Sequence, residues 1–337
     1  MPKVTKEYLY EIAFCRPILI ILLVLYHSFV IYTGVWDMPR GVASIPVYAW
    51  VADIAYSFML PMFFFISGYV WGWQCRIKGS QEPFMVLLKK KFQRLYLPCL
   101  FFGIFYLAIF EKEQSLWRNV YTLISGAGHL WFLPVLLGCF VVSWLLYKKG
   151  LKGYRIWIPL LSLSLLSDLS FWPQRLADVL FYLPFFWGGA TIQKERDKVD
   201  RSLSPYVIIV MWLVYLLVYI VLHAYVIPMI SGQGGEPMVW KNMLMVLCKS
   251  LYAWVGVMVM YKTAVSMSIC RQMPNWYVKC GVYSMGVYIF QQFIIKFLYY
   301  KLDVSVFFSS YMLPWIVFLL ALSLSFLCVY TFKQIRL

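Results

Sequence analysis

Ten apolar runs of roughly membrane-spanning length follow one another, near residues 12–33, 47–73, 95–110, 128–147, 155–172, 176–192, 204–230, 242–266, 281–300 and 304–331. A helix that crosses a bilayer needs about 20 such residues, so ten crossings nearly use up the chain. Inside hydrocarbon every backbone N–H and C=O must be satisfied within its own segment, which leaves helices as what runs of this kind form. The expectation is an all-α, polytopic integral membrane protein with about ten transmembrane helices, one domain over residues 1–337 and no soluble domain. The fifth and sixth runs are the shortest signals. Residues 160–192 would also fit one helix plus a re-entrant hairpin broken at Pro173.

Charge is consistent with this layout. Only 13% of residues are charged and 63% are hydrophobic, whereas a soluble domain carries about 25% charged residues. The net charge of +16 would suggest nucleic acid in a soluble protein, but here the basic residues lie between apolar runs and no basic soluble module exists to hold a nucleic acid. With the N-terminus in the cytoplasm, 22 of the 30 lysines and arginines fall on the cytoplasmic side of a ten-helix layout, as the positive-inside rule requires. Both termini are then cytoplasmic, and loops 34–46, 111–127 and 231–241 face outward. The expected location is the cell (inner or plasma) membrane, with membrane lipids as partners.

The first run is long enough to span and reads as a helix, not a cleavable leader. None of the eight cysteines (Cys15, Cys75, Cys99, Cys139, Cys248, Cys270, Cys280, Cys328) falls in an outward loop, so no disulfide framework is expected. Cys270 and Cys280 are ten apart and match no zinc spacing, and no metal site is expected.

Ionisable side chains within spans are costly, so each is a functional suspect. His27 lies within the first run, eleven residues after Arg16. At 100° per residue the two project from one helical face, about 16 Å apart along the axis. A cation at the inner edge and an imidazole further along suit a long anionic cofactor whose reactive end reaches the imidazole. A snorkelling arginine and a histidine paired with a neighbouring helix would satisfy the same spacing. Pro61 should bend the second span, and Gly68 there would admit a close neighbour or a ligand. Lys89, Lys90, Lys91 and Arg94 form either a lipid-headgroup anchor or a cationic platform for phosphates. His129, at the outer end of the fourth span, is an interfacial anchor or part of an acceptor site. His223 reads as structural.

Taken together, these segments resemble the membrane-bound acyltransferase family 3, in particular its sugar O-acetyltransferase branch related to fucose 4-O-acetylase. The matching features are Arg16-x10-His27, the Pro61–Tyr69 segment with Ser67-Gly68, Arg94-x3-Pro98, His129-Leu-Trp131-Phe132-Leu, and Ser284-Met-Gly-Val-Tyr288, in the family's order over essentially the whole chain. Many members carry a histidine just before the Pro61 equivalent and another shortly after the Tyr288 equivalent. Here Ser57-Phe58-Met59-Leu60 and Gln291-Gln292 stand in those places. The resemblance implies transfer of an acyl group, acetyl above all, from cytoplasmic acyl-CoA to a sugar hydroxyl of a cell-surface glycan or its lipid-linked precursor. His27 would be the general base or a transient acyl carrier, its unperturbed pKa near 6.5 suiting proton transfer at neutral pH. Arg16 and Arg94 with Lys89, Lys90 and Lys91 would hold cofactor phosphates, with Ser67 and Gly68 beside the cofactor. His129, Trp131, Tyr288 and Gln291 would serve the acceptor. A transporter or flippase for a lipid-linked sugar, or a non-catalytic scaffold, shares the apolar, cation-lined character without the chemistry. The sequence leaves the acceptor sugar and the oligomeric state open.

Overall fold

The computed structural model describes residues 9–77, 82–111, 115–151, 156–169, 172–196, 203–232, 239–267 and 273–334. Among these only helices and connecting turns occur: α1 (Tyr10–Phe29), α2 (Pro46–Ile77), α3 (Phe84–Lys91), α4 (Leu97–Phe110), α5 (Leu116–Ser125), α6 (Phe132–Lys148), α7 (Trp157–Leu165), α8 (Gln174–Lys194), α9 (Pro205–Ile220), α10 (Ile227–Gly232), α11 (Val239–Met267), α12 (Asn275–Tyr300) and α13 (Leu313–Gln334). Seven stretches are long and apolar enough to cross a membrane: Tyr10–Tyr32, Pro46–Ile77, Phe84–Phe110, Gly128–Lys148, Pro205–Ile230, Val239–Met267 and Leu313–Lys333. The α8 and α12 helices, 21 and 26 residues long, match them in length but carry more polar side chains. The chain is an all-α polytopic membrane protein. Of the basic residues used to orient it, Lys3, Lys6, Lys78, Lys112, Lys152, Arg155, Lys198, Arg201, Arg271 and Arg336 lie outside the described residues, as does Cys270.

Two helices are shorter than the apolar runs suggest. The run 155–172 yields only the nine-residue α7, about 14 Å long. Its serines compete for the backbone: the Ser164 hydroxyl bonds the Leu161 carbonyl, a local alternative that weakens a helix. The run 304–331 becomes α-helical only at Leu313: residues 301–312 turn over the end of α12, with Asp303 in a left-handed conformation (φ 45°) and a short 3-10 turn over Val304–Val306.

The chain divides into two compact units: Met1–Leu60 with Asp200–Leu216 and Val255–Leu337, and Pro61–Val199 with Leu217–Trp254. In the first, α12 runs parallel to α1. The Tyr277 hydroxyl donates to the Phe14 carbonyl (2.6 Å) near one end and the Tyr299 hydroxyl to the Ser28 carbonyl (2.5 Å) near the other. The α13 helix returns antiparallel, its Trp315 ring packed edge-on against Phe29 at the end of α1 (4.9 Å). Tyr10 and the end of α13 therefore lie on one side. Between α2 and α9 the hydroxyls of Ser57 and Tyr215 meet at 2.5 Å, and Trp212 of α9 donates to Thr263 of α11 (3.1 Å). Each pair satisfies polar groups that hydrocarbon would leave unmet.

In the second unit α2 and α8 cross at backbone contact. A Cβ on Gly68 would lie 1.8 Å from the Phe186 carbonyl oxygen, and one on Gly189 1.9 Å from that of Phe65. Small residues let helices approach this closely where no hydrophobic drive separates helix from lipid. The α6 and α8 helices run in the same direction: Trp131 neighbours Arg175 and Tyr182, and Phe140 neighbours Phe186. A chain segment between two helices that run the same way has to return along them. The α7 helix does part of this, with Trp157 at its start beside Gly188, late in α8. Beyond its end, the Asp168 carbonyl accepts from Asn242, near the start of α11.

Candidate active site

His27 occupies the last turn of α1 and is buried (8% exposed). Its Nδ1 lies 3.1 Å from the Leu23 carbonyl oxygen. A carbonyl only accepts, so Nδ1 carries the proton and Nε2 the lone pair of the neutral ring. Aromatic rings surround it. Trp36 stacks on the imidazole (5.8 Å between centroids) and Tyr26 meets it edge-on (5.0 Å), while Tyr26 in turn stacks on Tyr56 of α2 (4.4 Å).

Trp36 belongs to the loop after α1, and that loop is tied down. Tyr300 donates to the Asp37 carbonyl (2.7 Å), the Ala43 amide to the Ser310 hydroxyl (2.9 Å), Tyr32 to the Ser310 carbonyl (2.8 Å) and Tyr48 to the Tyr311 carbonyl (2.8 Å). Partners almost 270 residues apart thus fix the roof over His27.

Arg16 lies near the other end of α1, half-buried, where α12 passes with Gly281. A Cβ on Gly281 would sit 3.4 Å from the Arg16 Cβ. Because the two helices run parallel with equal rise, a residue ten or eleven positions past Gly281 comes level with His27. Gln291 and Gln292 hold those positions, both buried. Gln291 is fully enclosed. Its amide nitrogen reaches the Tyr288 carbonyl at 3.5 Å, and its Oε1 has no hydrogen-bond partner among the described residues. Tyr288 is buried one turn earlier.

The remaining expected residues belong to the second unit. Ser67 donates to the Phe63 carbonyl (2.8 Å), and the open face of Gly68 is filled by the Phe186 backbone. Of the two uses the sequence allowed for Gly68, close approach of a neighbouring helix is the one the fold makes. Lys89, Lys90 and Arg94 are exposed, Arg94 within a π-helical turn over Phe92–Tyr96. Lys90 pairs with Glu82 (2.7 Å). Lys91 turns inward, its ammonium 3.8 Å from the centre of the Phe140 ring. His129 is buried in a 3-10 turn over Gly128–Trp131, 6.2 Å from the Tyr106 ring. Gly128 sets this turn at φ 52°, and a Cβ there would meet the Tyr106 ring at 2.2 Å. Trp131 carries the Arg175 guanidinium at 5.4 Å, and Arg175 also bonds Asp178 (2.9 Å) and the Ser125 carbonyl (2.7 Å). His223 stacks on Tyr219 (4.9 Å).

A buried imidazole with a fixed tautomer, facing aromatic walls inside an apolar helical bundle, is equipped for proton transfer away from water. The family model described as an acyltransferase domain (acyltransferase 3) matches residues 9–333. The chain belongs to this acyltransferase family. No curated protein and no solved structure matches it.

Three residues of the acyltransferase's His27 surroundings escape the sequence reading. Trp36 lies in the loop after α1 with no motif to mark it. Lys296 of α12 is half-buried, its ammonium 5.2 Å from the Trp36 ring centre. Asp53 of α2 is half-buried and close enough to Tyr26 to act on it electrostatically. Asp53 lies within a candidate membrane span and Lys296 within the long helix α12, so the cost of charge in such helices is the signal that would find them.

Proposed function

We propose that this membrane acyltransferase moves an acetyl group from cytoplasmic acetyl-CoA to a sugar hydroxyl of a cell-surface glycan or its lipid-linked precursor. The observation that carries this reading is the His27–Leu23 hydrogen bond, which leaves Nε2 as the basic nitrogen of a buried ring. Nε2 takes the proton of the acceptor hydroxyl as its oxygen bonds to the thioester carbonyl carbon. The tetrahedral adduct collapses, the C–S bond breaks, and the imidazolium returns the proton to the departing thiolate. A base of this kind contributes about 10²–10⁴-fold, and the dry surroundings protect the thioester from water. Arg16, about 16 Å down the same helix, takes a donor phosphate. Trp36, Tyr26 and Tyr56 offer ring faces to the apolar side of a pyranose, and Gln291 offers an acceptor to its hydroxyls.

The layout that goes with this reading has ten membrane passages, with the run near 155–172 as the fifth, and both termini in the cytoplasm. The 22-of-30 charge bias and the shared direction of α6 and α8 support it.

The test is mass spectrometry of surface glycans from cells with and without the gene, paired with transfer from labelled acetyl-CoA by purified protein in nanodiscs. Loss of an O-acetyl substituent with the gene, restored by the protein, is expected. An unchanged glycan profile together with absence of labelled product would overturn the reading.

A further inference from the structure

The basic end of the second unit holds polar groups that the reaction above does not use. Among the described residues the Ser143 hydroxyl of α6 and both amide atoms of Gln193 of α8 have no hydrogen-bond partner, although both residues are fully buried. A buried amide without partners loses its hydration with nothing in return, so such a group asks for a ligand. Its position is defined by its helix. Val179, Phe186 and Gln193 follow at seven-residue intervals and share one stripe. Val179 packs at Gly138, and Phe186 against the Phe140 ring (4.8 Å). Gln193 extends that stripe toward the end of α8, while Ser143 lies three residues past Phe140.

Cations surround the same seam. The Lys91 ammonium sits 3.8 Å over Phe140, Lys194 lies over Tyr147 at 5.5 Å, and Arg196 is only 7% exposed. The nearby carboxylate of Glu82 is engaged by Lys90. A buried arginine, a half-buried lysine and an exposed lysine beside a neutral donor–acceptor pair suit an anion with a hydrogen-bonding arm.

We propose that this seam binds a phosphate ester carrying amide or hydroxyl groups, with Lys91 and Arg196 on the phosphate and Gln193 and Ser143 on the arm. Two molecules supply that chemistry. Coenzyme A has two amides next to a diphosphate, and phosphatidylglycerol has a hydroxylated headgroup on a phosphate. The first source rests on the donor proposed above; the second does not.

The test uses the full chain in phosphatidylcholine nanodiscs, with coenzyme A added in one arm and phosphatidylglycerol incorporated in the other. Binding and thermal unfolding are measured for wild type, Gln193→Leu, Ser143→Ala and Lys91→Met. One probe is expected to bind wild type, with Gln193→Leu weakening it at least about tenfold. The ligand-free unfolding temperature of Gln193→Leu is expected to hold or rise, because an apolar residue of similar size relieves an unmet amide. A structural glutamine would give the reverse: a lower ligand-free midpoint with unchanged affinity, and that result overturns the proposal. So does failure of both probes to bind wild type. If only phosphatidylglycerol binding depends on Gln193, the site stands as a lipid site. If coenzyme A binds every variant as it binds wild type and phosphatidylglycerol does the same, the site falls while the donor reading survives.

Discussion

His27 donates from Nδ1 to the carbonyl oxygen of Leu23, one helical turn before it, at 3.1 Å. That bond places the proton of the neutral ring on Nδ1 and the lone pair on Nε2, and the proposed role of Nε2 as general base gives a test. His27→Ala and His27→Gln should each lower acyl transfer by about 10²–10⁴-fold without loss of expression or monodispersity. Initial rates with labelled acetyl-CoA decide it, and turnover above about a tenth of wild type in either variant would contradict the assignment.

Arg16 shares a helix with His27 and lies about 16 Å from it along the axis. Arg16→Ala should weaken coenzyme A binding, and Arg16→Lys should restore it only in part, because lysine lacks the bidentate fork. Calorimetry checks this, and equal affinity in wild type and Arg16→Ala would remove Arg16 from the donor site.

Gly68→Ala and Gly189→Ala should be among the most damaging single methyl additions in the chain. Each new Cβ would fall within 2 Å of a backbone carbonyl oxygen across the α2–α8 crossing, and two backbones have to part to admit it. Overpacking of this kind costs about 1–3 kcal/mol or more. Gly281→Ala, whose Cβ would have ordinary contacts from 3.4 Å outward, should be mild. Comparing the three by thermal unfolding in detergent tests the point, and a Gly68→Ala midpoint matching wild type would refute it.

Tyr277 and Tyr299 fasten α12 to α1 through Phe14 and Ser28. Tyrosine-to-phenylalanine changes should each cost about 1 kcal/mol. The sites are fourteen residues, about 21 Å, apart on α1, so the double variant should show the sum of the single effects to within about 0.5 kcal/mol. Strong coupling between them would mean that the helix pair moves as one element.

Sidedness follows from charge. In a cysteine-free background, cysteines at 40 and 118 should react with an impermeant thiol reagent on intact cells, and one at 149 only after permeabilisation. A cysteine at 175 should react slowly, because that position is half-enclosed. Reaction at 149 from outside would invert the proposed layout.

Much of this protein could be read locally. The apolar runs dictate helices, because hydrocarbon offers no other partner for the backbone, and the lysine and arginine bias underlies the orientation proposed for them. The Arg16–His27 spacing follows from the rise of a single helix, so sequence was enough for it. What sequence could not decide is which groups meet across helices. Trp36 and Lys296 are 260 positions apart and come together only through the parallel docking of α12 on α1. Lys89, Lys90 and Lys91 are chemically alike in the sequence, yet the fold exposes the first, pairs the second with Glu82 and turns the third over Phe140. Gly68 could have faced a ligand, but packing gives that face to Phe186. The shortening of the run 155–172 to α7 and the enclosure of Gln193 are likewise tertiary outcomes. Hydrophobicity fixes that a segment is buried, while its partners depend on the register and direction of helices distant in sequence.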